Sequence, residues 1–118
     1  MAAAHLLKQP AALPDGELTD WGPVAEPIGT PVARTSGRLL HRDADGGNET
    51  GIWVCTPGTW RCVVTRDEFC HFIAGSCTYT ADSGERLEIA GGDAAFFPAG
   101  WSGTCEVRQT MRKTYMIR

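Results

Sequence analysis

From about residue 36 onward, turn residues cut the chain roughly every eight to twelve positions, the spacing of an all-β sandwich or barrel. The runs between the cuts are short and rich in β-branched and aromatic side chains. Expected strands cover Gly37 to His41, Gly51 to Cys55, Thr59 to Thr65, Glu68 to Ile73 and Ser76 to Ala81. They continue over Arg86 to Ala90, Ala94 to Phe97, Gly103 to Gln109 and Lys113 to Ile117. The cuts between them are Asp43 to Asn48, Thr56-Pro57-Gly58, Ala74-Gly75, Asp82-Ser83-Gly84, Gly91-Gly92 and Pro98-Ala99-Gly100. Gly supplies positive φ, Pro presets φ, and Asp and Asn bond their own backbone, so each cut has a turn chemistry. No segment keeps a 3.6-residue apolar repeat over several turns, which excludes a helical core.

Residues 1–35 follow a different rule. Pro10, Pro14, Pro23, Pro27 and Pro31 recur without a periodic apolar pattern. Each removes a backbone donor, so neither a helix nor a central strand can run through them. The expectation is an extended N-terminal arm over 1–35 and one β-barrel over 36–118. Trp21, Val24 and Ile28 are its candidate anchors, on the domain or on a neighbouring subunit. At 118 residues the chain fits one domain and buries roughly two-thirds of its unfolded surface without help from metals or disulfides.

Charge and cysteine usage exclude several classes. A net charge of -3 lacks the clustered basic footprint of a nucleic-acid surface. No apolar run approaches the roughly 20 residues a membrane helix needs. The segment Met1 to Lys8 is too short for a secretory h-region, so a reducing cytoplasmic setting is expected, with the thiols free. The five cysteines, Cys55, Cys62, Cys70, Cys77 and Cys105, form no C-x-x-C pair and read as small buried hydrophobes.

Two stretches carry more than turn chemistry. Glu68-Phe-Cys-His-Phe-Ile-Ala-Gly75 has Glu, six residues, then Gly; Gly92-Asp-Ala-Ala-Phe-Phe-Pro98-Ala-Gly100 has Gly, five residues, then Pro-x-Gly. Their order and spacing resemble the two motifs of the cupin superfamily, the small jelly-roll β-barrels. Gly51-Ile-Trp53, Thr56-Pro-Gly58, Asp67-Glu68, Phe97-Pro-Ala-Gly100-Trp101 and Arg112-Lys113 narrow the resemblance. They are similar to a branch of small single-domain cupins related to the ureidoglycine aminohydrolases. The resemblance implies an all-β cupin jelly-roll β-barrel behind the Pro-rich arm.

It also implies where a metal would sit. Metal-binding cupins use His-x-His and Glu in the first motif and one His in the second. Those positions fall on Cys62, Val64, Glu68 and Gly103. Val64 and Gly103 carry no side-chain donor, and a transition metal needs at least three. No metal and no cofactor are expected.

Strand alternation supplies the expected lining, because side chains two apart share a face. With Glu68 inward, Cys70 and Phe72 point in and Phe69, His71 and Ile73 point out. Cys62 and Val64 stand beside Glu68, Phe96 faces in, Cys105 shares a face with Gly103 and Val107, and Trp101 sits at the mouth. Glu68 reads either as an acid or base in an apolar pocket or as a carboxylate paired with an arginine such as Arg61 or Arg112, or with backbone amides. The expected function is small-molecule binding in a pocket lacking the usual metal. The alternative is an enzyme acting on a small nitrogenous or carbonyl metabolite with Glu68 as acid or base. Edge strands need covering, so a homodimer is expected.

Overall fold

The computed structural model describes residues 2–118. Its nine strands are β1 Thr19–Pro23, β2 Pro27–Ile28, β3 Arg34–Arg42, β4 Glu49–Cys55, β5 Gly58–Val63, β6 Glu68–Ala81, β7 Arg86–Ala90, β8 Ala94–Phe97 and β9 Ser102–Ile117. The only other regular pieces among the described residues are 3₁₀ turns at Pro10–Ala12 and Asp15–Glu17. All pairings are antiparallel, and the fold is the expected all-β jelly roll.

Two long strands organise the sheet. The first half of β9 runs between β5 and the second half of β6, while its second half runs between β4 and the first half of β6. β7 and β2 extend one half-sheet; β8, β3 and β1 extend the other. Because β6 and β9 belong to both halves, the sheet curls around one interior. That interior holds Cys70, Phe72, Cys77, Cys105 and Met111, all fully buried.

The sequence pattern splits each of these long strands in two, and the structure joins them. Gly75 sits inside β6 with φ +91, amid register shifts at Phe72/Ala74, Ala74/Ser76 and Ser76/Cys77. A bulged glycine bends a strand without ending it, so a residue that reads as a turn is a corner. β7 and β8 have the expected bounds, since tight turns at Ser83-Gly84 and Gly91-Gly92 flank β7 and Pro98 ends β8.

The proline-rich segment also contributes strands. β1 pairs with β3 and β2 with β5, at the two outer edges of the sheet order. Pro23 and Pro27 are tolerated there because an edge strand leaves one row of donors unused. Arg112 tethers the chain before β1, donating to the carbonyls of Pro10 (2.8 Å) and Leu13 (3.0 Å). On the outer face, Phe96 lies opposite Phe69, and Phe69 opposite Met116, as an exposed apolar row. No helix among the described residues is long and apolar enough to cross a membrane.

Candidate functional site

The inner face of the second half-sheet carries one cross-strand rank. Gly37 on β3 pairs with Trp53 on β4, Trp53 with Lys113 on β9, and Lys113 with Phe72 on β6. Paired residues share a face, so Trp53, Lys113 and Phe72 project side by side into the barrel. The Lys113 ammonium lies over the Trp53 ring at 4.6 Å from its centroid and 5.7 Å from that of Phe72. From there it donates to Glu68 Oε2 at 2.6 Å. The two side chains are 7% and 17% exposed, which makes this a nearly buried ion pair.

The pair borders a cavity of about 350 Å³, whose walls include Trp21, Trp53, Trp60, Cys62, Val64 and Phe97. Tyr79, Tyr115 and Glu49 complete its polar and aromatic lining. Glu49 accepts from the Tyr115 hydroxyl (2.7 Å) and from Arg42 (2.8 and 3.0 Å). Burial alone would raise the Glu49 carboxyl, but those donors outweigh it and hold it below its ordinary value. Burial also works against the Lys113 ammonium, yet the attraction of Glu68 wins and raises its pKa above 10.5. Lys113 is therefore a fixed cation at neutral pH, not a nucleophilic amine.

The thiols near it are inert for a different physical reason. Burial pushes Cys70 up to about 11 and Cys55 to about 12, against the opposing pull of Lys113. Cys62, on the cavity wall, is also raised by burial. At pH 8 a shift from 9 to about 11 leaves Cys70 with roughly a hundredth of the ordinary thiolate fraction. Native protein treated with iodoacetamide at pH 8 should therefore label Cys70 about 100-fold more slowly than unfolded protein. Equal rates, read by peptide mass spectrometry, would contradict the buried neutral thiol.

The structure sorts the expected lining residues into two layers. Glu68, Cys62 and Val64 reach the cavity, and Cys70, Phe72 and Cys105 lie fully buried in the wall behind it. Trp101 packs edge-on against Phe97 (5.3 Å) and Tyr79 (5.9 Å), supporting the wall from behind. Phe96 does not face in. In the β6–β8 register Glu68 pairs with Phe97 and Phe69 with Phe96, so Phe97 turns inward with Glu68 while Phe96, 58% exposed, turns outward with Phe69.

The arginines expected as partners of Glu68 are engaged elsewhere, Arg61 with Asp82 and Arg112 with the N-terminal carbonyls. The partner is Lys113. Its signal was present in the alternation Met111-x-Lys113-x-Tyr115-x-Ile117, which puts the lysine on an apolar face. Glu49 and Trp21 carried no comparable signal.

The positions where metal-binding cupins hold their ion do not fit one here. Cys62 and Gly103 are paired across β5 and β9, and the only acidic donor, Glu68, is taken by Lys113. A Cβ at Gly103 would lie 2.1 Å from the Thr80 carbonyl oxygen, so no side chain can project from that position without a backbone shift. Among the described residues no group of three His, Cys, Asp or Glu is placed to hold a metal.

A profile of the EutQ-like cupin domain matches residues 42–115, which include Glu68, Lys113 and Tyr115. The chain belongs to the EutQ-like cupins. Three solved structures share this EutQ-like cupin's fold. A protein of unknown function from Pseudomonas syringae pv. tomato is 22% identical with TM-score 0.77, over 86% of this chain and 44% of that one. The Clostridium difficile EutQ protein is 18% identical with TM-score 0.63, over 79% of this chain and 75% of that one. A putative ethanolamine utilization protein from Salmonella typhimurium is 20% identical with TM-score 0.62, over 71% and 68%. This EutQ-like cupin thus spans less than half the length of the Pseudomonas protein. Among curated proteins none matches the sequence.

Proposed function

We propose that this EutQ-like cupin binds a small molecule without a metal, using the Glu68–Lys113 pair as its polar anchor. The observation that carries the reading is a nearly buried ion pair on the wall of an otherwise largely aromatic cavity of about 350 Å³. Such cavities take small ligands and fix them with a few convergent polar groups. Among the described residues only one of the three Lys113 N–H groups is used in a hydrogen bond, and no donor reaches Glu68 Oε1. The site therefore presents a donor and an acceptor side by side. An amide, a urea or a protonated carboxylic acid offers the complementary pair. Urea chemistry is also what a relation to ureidoglycine aminohydrolases would bring, a kinship that rests on sequence resemblance alone. Glu68 as a free acid or base is less favoured, because its carboxylate is committed to Lys113.

A thermal-shift screen of amides, ureas and carboxylic acids, run beside metal analysis by mass spectrometry, tests this. A true ligand at 100 times its Kd stabilises the fold by about 2.7 kcal/mol. The shift should appear in wild type and vanish in Lys113→Met, with less than about a tenth of an ion per chain. A stoichiometric metal whose removal abolishes the shift would overturn the proposal.

A further inference from the structure

Trp21 reaches the cavity by an unusual route. It belongs to β1, an edge strand, and is the extra residue in a register irregularity: Asp20 pairs with Ser36 and Gly22 with Thr35. A bulge of this kind re-aims one side chain. The benzo part of the ring lies against Gly37, where an added Cβ would come within 2.3 Å of its Cζ3 atom and 2.4 Å of Cη2. Glycine at 37 is thus what lets the indole cross the strand. Gly37 pairs with Trp53, so the bulged ring joins the rank of Trp53, Lys113 and Phe72. Trp21 is nevertheless 39% exposed, with one part of the ring on the strand and another on the cavity. Across the cavity, Trp60 meets Trp53 at 6.2 Å and 58°.

Gly51 also lies beside a cavity group: a Cβ there would stand 2.5 Å from the Arg38 carbonyl oxygen and 3.2 Å from the Tyr115 hydroxyl. Lys113 already occupies the face of Trp53, so a second cation would meet repulsion there. Among the rings left to a ligand are those of Trp21 and Trp60, which suit a neutral flat body.

We propose that the ligand is a planar aromatic or heteroaromatic ring bearing an amide, urea or carboxylic acid group. The polar group meets Glu68 and Lys113, and Trp21 closes over the ring as a specificity-determining wall. This rests on the reading of the cavity as a small-molecule site. The test compares benzamide with cyclohexanecarboxamide, which has the same polar group and no π face, by isothermal titration calorimetry. Wild type should bind benzamide roughly 3- to 10-fold more tightly, the range an aromatic pair supplies beyond area burial. Trp21→Ala should bring the ratio close to one, and Trp21→Phe should keep most of it.

A wild-type ratio near one, or a ratio unchanged in Trp21→Ala, overturns the proposal. If the two amides bind equally and Lys113→Met loses both, the small-molecule site stands and the aromatic class falls. If neither binds wild type up to about 10 mM, both readings fall.

Discussion

Glu68→Leu should destabilise the protein by about 3–5 kcal/mol, because it strands a buried ammonium without its carboxylate. Lys113 is only 6% exposed and is held among Trp53, Phe72 and raised, neutral thiols, and Glu68 is the one carboxylate it bonds among the described residues. Lys113→Met should cost less, since the Glu68 side chain is 17% exposed and keeps some access to water through the cavity. The double variant Glu68→Leu/Lys113→Met should return close to wild-type stability, as apolar replacements of buried pairs do. It should also bind no amide. Urea unfolding of the four proteins gives the coupling between the two residues directly. A loss under about 1 kcal/mol in Glu68→Leu would mean that the pair behaves as an exposed one.

The same pair sets a pH dependence with a definite sign. The folded pKa of Lys113 lies above its ordinary 10.5. Its contribution is therefore fully present below pH 10.5 and is lost as pH rises through the folded value, where the native state holds a proton that the unfolded chain has released. Alkaline unfolding should be shallower in the double variant than in wild type.

Gly75→Ala is expected to cost about 2–5 kcal/mol, from two sources that can be separated. The residue has φ +91, a conformation that costs an L-residue about 1–2 kcal/mol. In addition, its Cβ would lie 2.3 Å from the Thr110 carbonyl oxygen and 2.7 Å from the Met111 Cα, both backbone atoms of β9. Overpacking of that kind adds about 1–3 kcal/mol. Gly84 is the control: its φ is +97, but nothing lies within 4 Å of an added Cβ. Gly84→Ala should cost the conformational part alone. Equal losses in thermal unfolding would show that the close approach at Gly75 relaxes freely.

Gly75 also marks where reading along the chain stops working. A glycine after Phe72 and Ile73 satisfies the rule for a turn, and the rule is local. Whether the chain reverses or bends depends on what lies beside it, and here β9 continues past Gly75 on the same side. β7 was legible, with bounds at Arg86 and Ala90, because both of its ends are two-residue turns closed by their own backbone. Phe96 shows the same limit one level up. Alternation fixes that neighbours in β8 face opposite ways, but only the pairing of Phe97 with Glu68 fixes which of the two is inside.

The sequence by itself determined the all-β class and that Glu68, Cys70 and Phe72 share one strand face, because period-two alternation and turn chemistry are short-range properties. The resemblance to metal-binding cupins puts their histidine positions at Cys62, Val64 and Gly103. Only the tertiary structure decided that Lys113 meets Glu68 from 45 residues away, that Trp21 crosses Gly37 to reach the cavity, and that β6 and β9 each serve both half-sheets. These are pairings between distant segments, set by register and by which backbone can approach which. A single strand carries no record of its neighbour.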